Sequence, residues 1–351
     1  MTHIVHHLHW GAESLWESLA PLLPGISVEV QARVESTNTR LLERARAFSG
    51  NPESPVTRPG ELGGASRNER TPHGRRSGDI SPCLLVAEEQ TRGRGRLGRD
   101  WVSSAGASLT FSLSMPLAPQ QWGGLSLAVG LAVADALDPQ LPGGAAAWPR
   151  IALKWPNDLW LLDGPGRGRK LGGVLIETVS VGNSRMCVVG VGLNVTPQPA
   201  GGFSGTSTVA GANLSANPSA NISANISANI SANISANISA NISATEGLAH
   251  GYACLQEIDA HASAPRALAL VAKPLVQALQ RFEAEGFAPL VAPYARRDLL
   301  RGQRVTTTMP DARVGVAEGV DELGALCLRI GDGGGLHRVV SGEVSVRLVE
   351  A

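Results

Sequence analysis

Four apolar runs follow one another at residues 151–155, 159–162, 171–179 and 186–195, with room only for turns between them. Strands joined by so few residues run antiparallel, because a parallel partner needs a crossover of about a dozen residues, usually through a helix. The pattern therefore predicts a largely antiparallel or mixed sheet. A doubly wound parallel sheet, which alternates strand and helix throughout, is excluded. Pro156-Asn157-Asp158 stops the first run with good turn chemistry, so a simple hairpin accounts for it. The Gly-rich segment 164–169 then lengthens the hairpin between Asp158 and Lys170, and leaves the orientation of Lys170 open.

The flanking segments supply the rest of a mixed fold. Leu15, Trp16, Leu19 and Leu22 recur at helical spacing within residues 10–23, and 28–34 alternates as a strand. Ser36-Thr37-Asn38 follows, then Leu41, Leu42 and Ala45 on an expected helix. Ser and Thr cap helices, which explains one of the three polar residues but not all of them at a strand-to-helix junction, where ligands often bind. Strands are expected at 83–87 and 109–113, a buried helix at 125–137, and an amphipathic helix at 265–282 carrying Leu268, Val271, Leu275, Leu279 and Phe282 on one face. From Gly302 the texture changes to short strands at 305–308, 313–320, 325–330, 336–340 and 344–348. These predict a small separate β-barrel domain.

Two insertions interrupt this plan. Residues 49–81 are rich in Pro, Gly, Ser and charge, and 197–246 contain the tetrapeptide A-N-x-S eight times over. Both are read as insertions outside the core, disordered for want of apolar surface to bury. Residues 1–25 form an N-terminal segment whose first ten carry His3, His6, His7 and His9 and are expected to fray. The catalytic unit then spans 26–297 and the barrel 300–351.

Charge and cysteines exclude several classes. Lys plus Arg and Asp plus Glu both total 30, so the net charge is zero, unlike a general nucleic-acid coat protein. Cys83, Cys187, Cys254 and Cys327 form no C-x-x-C pair, so neither a zinc site nor a disulfide framework is suggested, and a reducing cytoplasm is the expected location. No apolar run reaches the roughly 20 residues that span a bilayer, and no signal-peptide core is present. The chain ahead of residue 28 is too short for a helix-turn-helix, so neither DNA nor a membrane is an expected partner.

Residues 90–101 read Q-T-R-G-R-G-R-L-G-R-D-W. Glycine lets backbone approach a ligand closely, and arginine supplies a rigid fork of donors for carboxylates and phosphates. The loop suits closure over an anion. A solvated basic loop and an Arg/Gly segment that touches nucleic acid fit the same residues.

Taken with S-T-N at 36–38, K-W-P-N-D-L at 154–159, R-K-L-G-G-V-L-I-E at 169–177, G-V-G-L-N-V at 190–195 and S-G-E-V-S-V-R at 341–347, this loop resembles the biotin protein ligase (biotin–[acetyl-CoA-carboxylase] ligase) family. The resemblance implies an α/β (α+β) fold: a class II aminoacyl-tRNA synthetase-like catalytic domain with a mixed sheet, followed by an SH3-like β-barrel. It implies ATP, biotin and Mg²⁺ carried with the ATP, and a biotin carboxyl carrier domain as protein substrate. A homodimer is compatible, since family members dimerise to varying degrees, and the type implied is the monofunctional one. Lipoate ligases and octanoyl transferases share the fold but lack the G-R-G-R-x-G loop paired with K-W-P-N-D. A non-enzymatic biotin-binding module is disfavoured by the intact Lys170 and Asp158.

By match to the family, Ser36, Thr37, Asn38 and Gln90 would hydrogen-bond the ureido end of biotin, with Gly173 where the ligand passes close to a strand. Arg94, Gly95 and Arg96 would cover the valeryl tail and the phosphates. Lys170 would bridge the biotin carboxylate and the α-phosphate. Arg99, Trp101, Lys154, Asn157 and Asn194 would serve ATP, with Trp101 against the adenine or buried as a structural residue. Asp158 is the candidate base for the second half-reaction, or an orienting partner for Arg96. The loop is expected to be poorly ordered until biotin or its adenylate binds.

Overall fold

The computed structural model describes residues 8–49, 80–141, 148–197, 251–309, 313–331, 335–340 and 346–349. The A-N-x-S repeat, nearly all of the 49–81 insertion and His3, His6 and His7 lie outside the described residues.

The strands are β1 (Ser27–Val34), β2 (Cys83–Gln90), β3 (Gly93–Arg94), β4 (Asp100–Trp101), β5 (Ser108–Pro116), β6 (Ile151–Lys154), β7 (Asp158–Gly164), β8 (Arg167–Val181) and β9 (Ser184–Asn194). The helices are α1 (Ala12–Leu19), α2 (Thr37–Ser49), α3 (Leu125–Leu137), α4 (Ala264–Glu285) and the short α5 (Val291–Ala295). Seven strands make one sheet in the order β1-β2-β5-β9-β8-β7-β6. Only β1 and β2 pair in parallel, and α2 lies in the crossover between them. The other neighbours are antiparallel, as the short connections require.

The two faces of the sheet are covered differently. Along β2, Leu84 and Val86 join the large core built with α1, α3 and α4, while Cys83 and Leu85 pack with Leu41 and Leu42 of α2 on the opposite face. That is the period-two geometry of a strand buried on both sides. Helix α4 supplies Leu268, Val271, Leu275, Leu279 and Phe282 to the large core, all at 1% exposure or less. Each such side chain contributes about 1.5–3 kcal/mol relative to exposure. Ser263 caps α4 by accepting from the Arg266 N–H, and Gly286, at φ 68°, ends it.

The last five strands, β10 (Arg304–Thr307), β11 (Val314–Val320), β12 (Leu326–Arg329), β13 (Leu336–Val339) and β14 (Val346–Leu348), form an antiparallel sheet ordered β13-β12-β11-β10-β14. It is a distinct sheet, but its core is not separate. Val305, Ala317, Leu326, Leu328 and Val339 belong to the same buried cluster as α3 and α4. The contact is tight because two glycines meet there: a Cβ on Gly324 would stand 2.4 Å from the Gly124 Cα. The buried Trp155 indole donates to the Gly324 carbonyl at 3.1 Å, tying the β6–β7 turn to the second sheet.

Two sequence expectations need correction. The start of the chain does not fray as far as residue 10, because the buried Trp10 indole and the Leu8 N–H both donate to the buried Glu88 carboxylate, at 3.3 and 3.0 Å. Trp16, expected on the inner face of its helix, is half exposed and donates to the Ile26 carbonyl at 3.2 Å instead.

Candidate active site

A period of two sets the floor of the site. On β5, Leu109, Phe111 and Leu113 face the large core, so Ser108, Thr110, Ser112 and Ser114 face the other way. On β9, Val189, Val191 and Leu193 face that core, which leaves Gly190, Gly192 and Asn194 on the opposite side. Pairing places Ser112 beside Gly190 and Thr110 beside Gly192, and β8 adds Leu175 and Gly173 to the same two rows. Hydroxyls and hydrogens where other strands carry isobutyl groups make a trough on the face that carries α2, filled by Asn38 over Gly190 and the Trp101 ring over Gly192.

The first turn of α2 walls one end. Ser36 caps the helix: its Oγ accepts from the Thr39 N–H at 3.4 Å. The Thr37 N–H and hydroxyl both donate to Gln90 Oε1, at 2.8 and 3.1 Å. The Asn38 amide donates to the Leu175 carbonyl at 3.2 Å and to Glu177 Oε2 at 3.0 Å, while its Oδ1 accepts from Ser112 at 2.5 Å. The Ser112 hydroxyl also lies 2.6 Å from Thr37 Oγ1. Ser36, Thr37, Asn38 and Gln90 thus come together as expected, with both Asn38 amide hydrogens already engaged. Only glycine fits beneath them, because a Cβ on Gly190 would stand 2.3 Å from Asn38 Oδ1.

The Arg/Gly stretch folds back over this trough as a small hairpin. Gly93 pairs with Trp101 and Arg94 with Asp100, and the Gly95 N–H donates to the Arg99 carbonyl at 2.7 Å. At its tip Leu97 takes a left-handed conformation, φ 58°, which costs an L-residue about 1–2 kcal/mol. Arg94 reaches across to both oxygens of Glu177, at 2.9 and 3.1 Å. Arg96 donates to Asn157 Oδ1 at 3.4 Å. Its burial lowers its pKa, partly offset by Asp158. Arg99 is exposed. The Trp101 ring lies against Gly192, where a Cβ would meet it at 2.5 Å, and its indole N–H is buried without a partner. An unmet buried donor costs about 1–3 kcal/mol.

The far end is built on the β6–β7 hairpin, whose turn contains a cis Trp155–Pro156 bond. Lys154 stands opposite Asp158, and Asp158 opposite Gly173. Between the pairs Leu159–Gly172 and Trp160–Lys170 the register slips by one residue, at the fully buried Leu171. A bulge re-aims the side chains beside it. Here it brings Lys170 Nζ to 2.8 Å from Asp158 Oδ1. The segment 164–169 only extends the hairpin, for Gly164 already pairs with Arg167, and Lys170 lies well inside β8. Asn157 donates to the Val174 carbonyl at 2.8 Å. Lys154 Nζ sits 4.5 Å from the centre of the Trp160 ring. Burial lowers its pKa, Asp158 opposes this, and Lys170, Arg347 and Arg99 add to the lowering. Asn194 is buried at the end of β9, opposite Ser108.

Residues 75–194 match the Biotin/lipoate A/B protein ligase family, and residues 301–347 match the Biotin protein ligase C terminal domain. The chain carries both of these biotin protein ligase family domains. It is accordingly an enzyme of the ligase class, one that forms amide bonds. The biotin–[acetyl-CoA-carboxylase] ligase of Mycobacterium tuberculosis is 29% identical over 326 residues, covering 92% of this chain and 86% of that one. The corresponding Paracoccus denitrificans ligase is 41% identical over 125 residues, 34% of this chain and 46% of its own. A biotin protein ligase from Aquifex aeolicus, solved with biotin and ATP, shares the fold with a TM-score of 0.56 at 23% identity, over 92% of this chain and 99% of that one.

Ser112 lies outside the stretches that carry the family resemblance, and Glu177 and Gly190 close and open two of them with no role assigned there. The alternation S-L-T-F-S-L-S-M on β5, with glycines two apart on β9, signals a strand face kept small and polar. Glu177 ends the R-K-L-G-G-V-L-I-E stretch, but its role depends on which residues lie across the trough. Among the described residues no three His, Cys, Asp or Glu side chains cluster to hold a metal ion, and no helix is long and apolar enough to cross a membrane.

Proposed function

We propose that this chain is an ATP-dependent biotin protein ligase that activates biotin as biotinyl-5′-AMP and transfers it to one lysine of a biotin carboxyl carrier domain. The observation that carries the reading is the strip of small residues between two polar clusters on one face of the sheet. Thr37, Asn38, Ser112 and Gln90 stand at its polar end, and Lys170, Asp158, Asn157 and Lys154 at its charged end. Biotin has the matching shape, an apolar bicycle with a polar ureido group at one end and a carboxylate tail at the other.

In the first half-reaction a carboxylate oxygen of biotin attacks the α-phosphorus of ATP and pyrophosphate leaves. Two anions must meet, and more negative charge gathers at phosphorus in the transition state. Lys170 neutralises the carboxylate and the α-phosphate, held in place by Asp158, while Arg96 and Lys154 face the phosphates. Gly173 lets the acyl chain pass close to β8. Mg²⁺ would be carried with the nucleotide, by its oxygens and water, as is usual for that ion. Trp101 and Asn194 serve the nucleoside, and Arg99 the phosphates.

In the second half-reaction the carrier amine attacks the acyl carbon, an amide bond forms and AMP leaves. At pH 7 a lysine of pKa ~10.4 is neutral about once in 2,500 molecules, so a nearby carboxylate assists. Asp158 is the candidate. Its first partner is Lys170, so orientation of Lys170 precedes any role as base.

Incubation with ATP, Mg²⁺, radiolabelled biotin and a carrier domain tests the reading. Label on the carrier supports it. Label from lipoate but not from biotin would reverse it.

A further inference from the structure

We infer that Glu177 is a positioning residue that couples the Arg/Gly lid to the biotin pocket, an inference that rests on the ligase reading above. One carboxylate holds two things at once. On one side it accepts from Arg94 of the lid at 2.9 and 3.1 Å, and on the other it accepts from Asn38 at 3.0 Å. Asn38 accepts from Ser112, the Ser112 oxygen lies against the Thr37 hydroxyl, and the Thr37 N–H donates to Gln90, so a chain of polar contacts runs from the ureido end of the pocket to the lid.

Magnitudes decide what this link does. The Arg94 side chain is 42% exposed and that of Glu177 26%, so their ion pair is worth about 0–1 kcal/mol. It closes the lid but does not lock it, which suits a lid that must admit a carrier lysine. The Asn38 side is the more demanding. Without the carboxylate the Asn38 amide keeps the Leu175 carbonyl but leaves one N–H unmet, which loosens the side chain whose oxygen accepts from the buried Ser112. Glu177 therefore fixes the donor pattern of the pocket while holding the lid, whereas Lys170 is held by Asp158. Its loss falls on biotin binding more than on turnover.

Two substitutions separate the halves of the link. Glu177→Gln keeps an acceptor for Asn38 and removes the charge that holds Arg94, whereas Glu177→Ala removes both. Lid opening is read in ligand-free protein by thermolysin cleavage at Leu97, which is 50% exposed. Glu177→Gln is expected to be cut several-fold faster than wild type, with the biotin KM raised by less than about threefold. Glu177→Ala should be cut equally fast, with the biotin KM raised tenfold or more and kcat within a few-fold. The charge exchange Arg94→Glu with Glu177→Arg should restore slow cleavage. Wild-type cleavage rates in both single variants, or a loss confined to kcat, would overturn the inference. A wild-type protein that takes no biotin defeats the ligase reading alone, because cleavage of the ligand-free proteins still decides whether Glu177 holds the lid.

Discussion

Lys170 Nζ and Asp158 Oδ1 stand 2.8 Å apart because a one-residue slip at Leu171 turns Lys170 toward the neighbouring strand. The pair sets the geometry of the charged end of the trough. Lys170→Ala should reduce adenylate formation, measured by pyrophosphate exchange, by two orders of magnitude or more, the scale of losing a preorganised charge at phosphorus. Asp158→Asn, which leaves Lys170 in place but unoriented, should cost about tenfold. Near-normal exchange in Lys170→Ala would refute its assignment.

Gly190 is a packing requirement of the pocket. An added methyl would stand 2.3 Å from Asn38 Oδ1, and Asn38 is itself held by the Leu175 carbonyl, Glu177 and Ser112. Gly190→Ala should destabilise the fold by about 1–3 kcal/mol, the usual cost of overpacking. Biotin affinity should fall by more than tenfold. Titration calorimetry and thermal melting read the two effects, and unchanged biotin affinity would count against Asn38 as part of the pocket.

The two sheets share one core, so the described structure should melt as one cooperative unit rather than as two domains. Trp155→Phe deletes the bond to the Gly324 carbonyl at the junction and should cost about 1–3 kcal/mol, the penalty of a buried acceptor left unmet. Scanning calorimetry should show a single peak at lower temperature. Two resolved peaks in the wild type would contradict the shared core.

Asp298, next to the buried Arg297, has its pKa raised by burial to about 6, and its Oδ2 lacks a partner. The folded state therefore holds this proton more tightly than the unfolded chain, where an aspartate titrates near 3.9. Stability contributed by Asp298 is greatest below pH 4, falls as pH rises from 4 to 6, and stays low above. The ionised form costs about 3 kcal/mol at most, since each tenfold change is 1.36 kcal/mol. Asp298→Asn should raise Tm at pH 8 and lose that advantage by pH 4. An equal effect at both pH values would exclude the ionisation.

Much of the site was legible because its chemistry is carried by short contiguous stretches. Ser36-Thr37-Asn38, the Arg/Gly loop, Lys154 to Asp158 and Lys170 to Gly173 each keep their members within a few residues, and the structure gathers them on one face of the sheet. The role of Glu177 was not legible, since a carboxylate late in a strand acquires it only from Arg94, 83 positions earlier, and Asn38, 139 positions earlier. Trp10 was missed for the same reason: its partner Glu88 is 78 residues away.

Local order in the chain was enough to set the antiparallel sheet, the β6–β7 hairpin and the helices α3 and α4, because period-two and helical patterning act between near neighbours. Three things were decided only by folding: the slip that aims Lys170 at Asp158, the link from Gln90 through Asn38 and Glu177 to Arg94, and the common core of the two sheets. Each depends on which side chains meet across strands far apart in sequence. Backbone register and close packing settle that, and neither is written in any single stretch of residues.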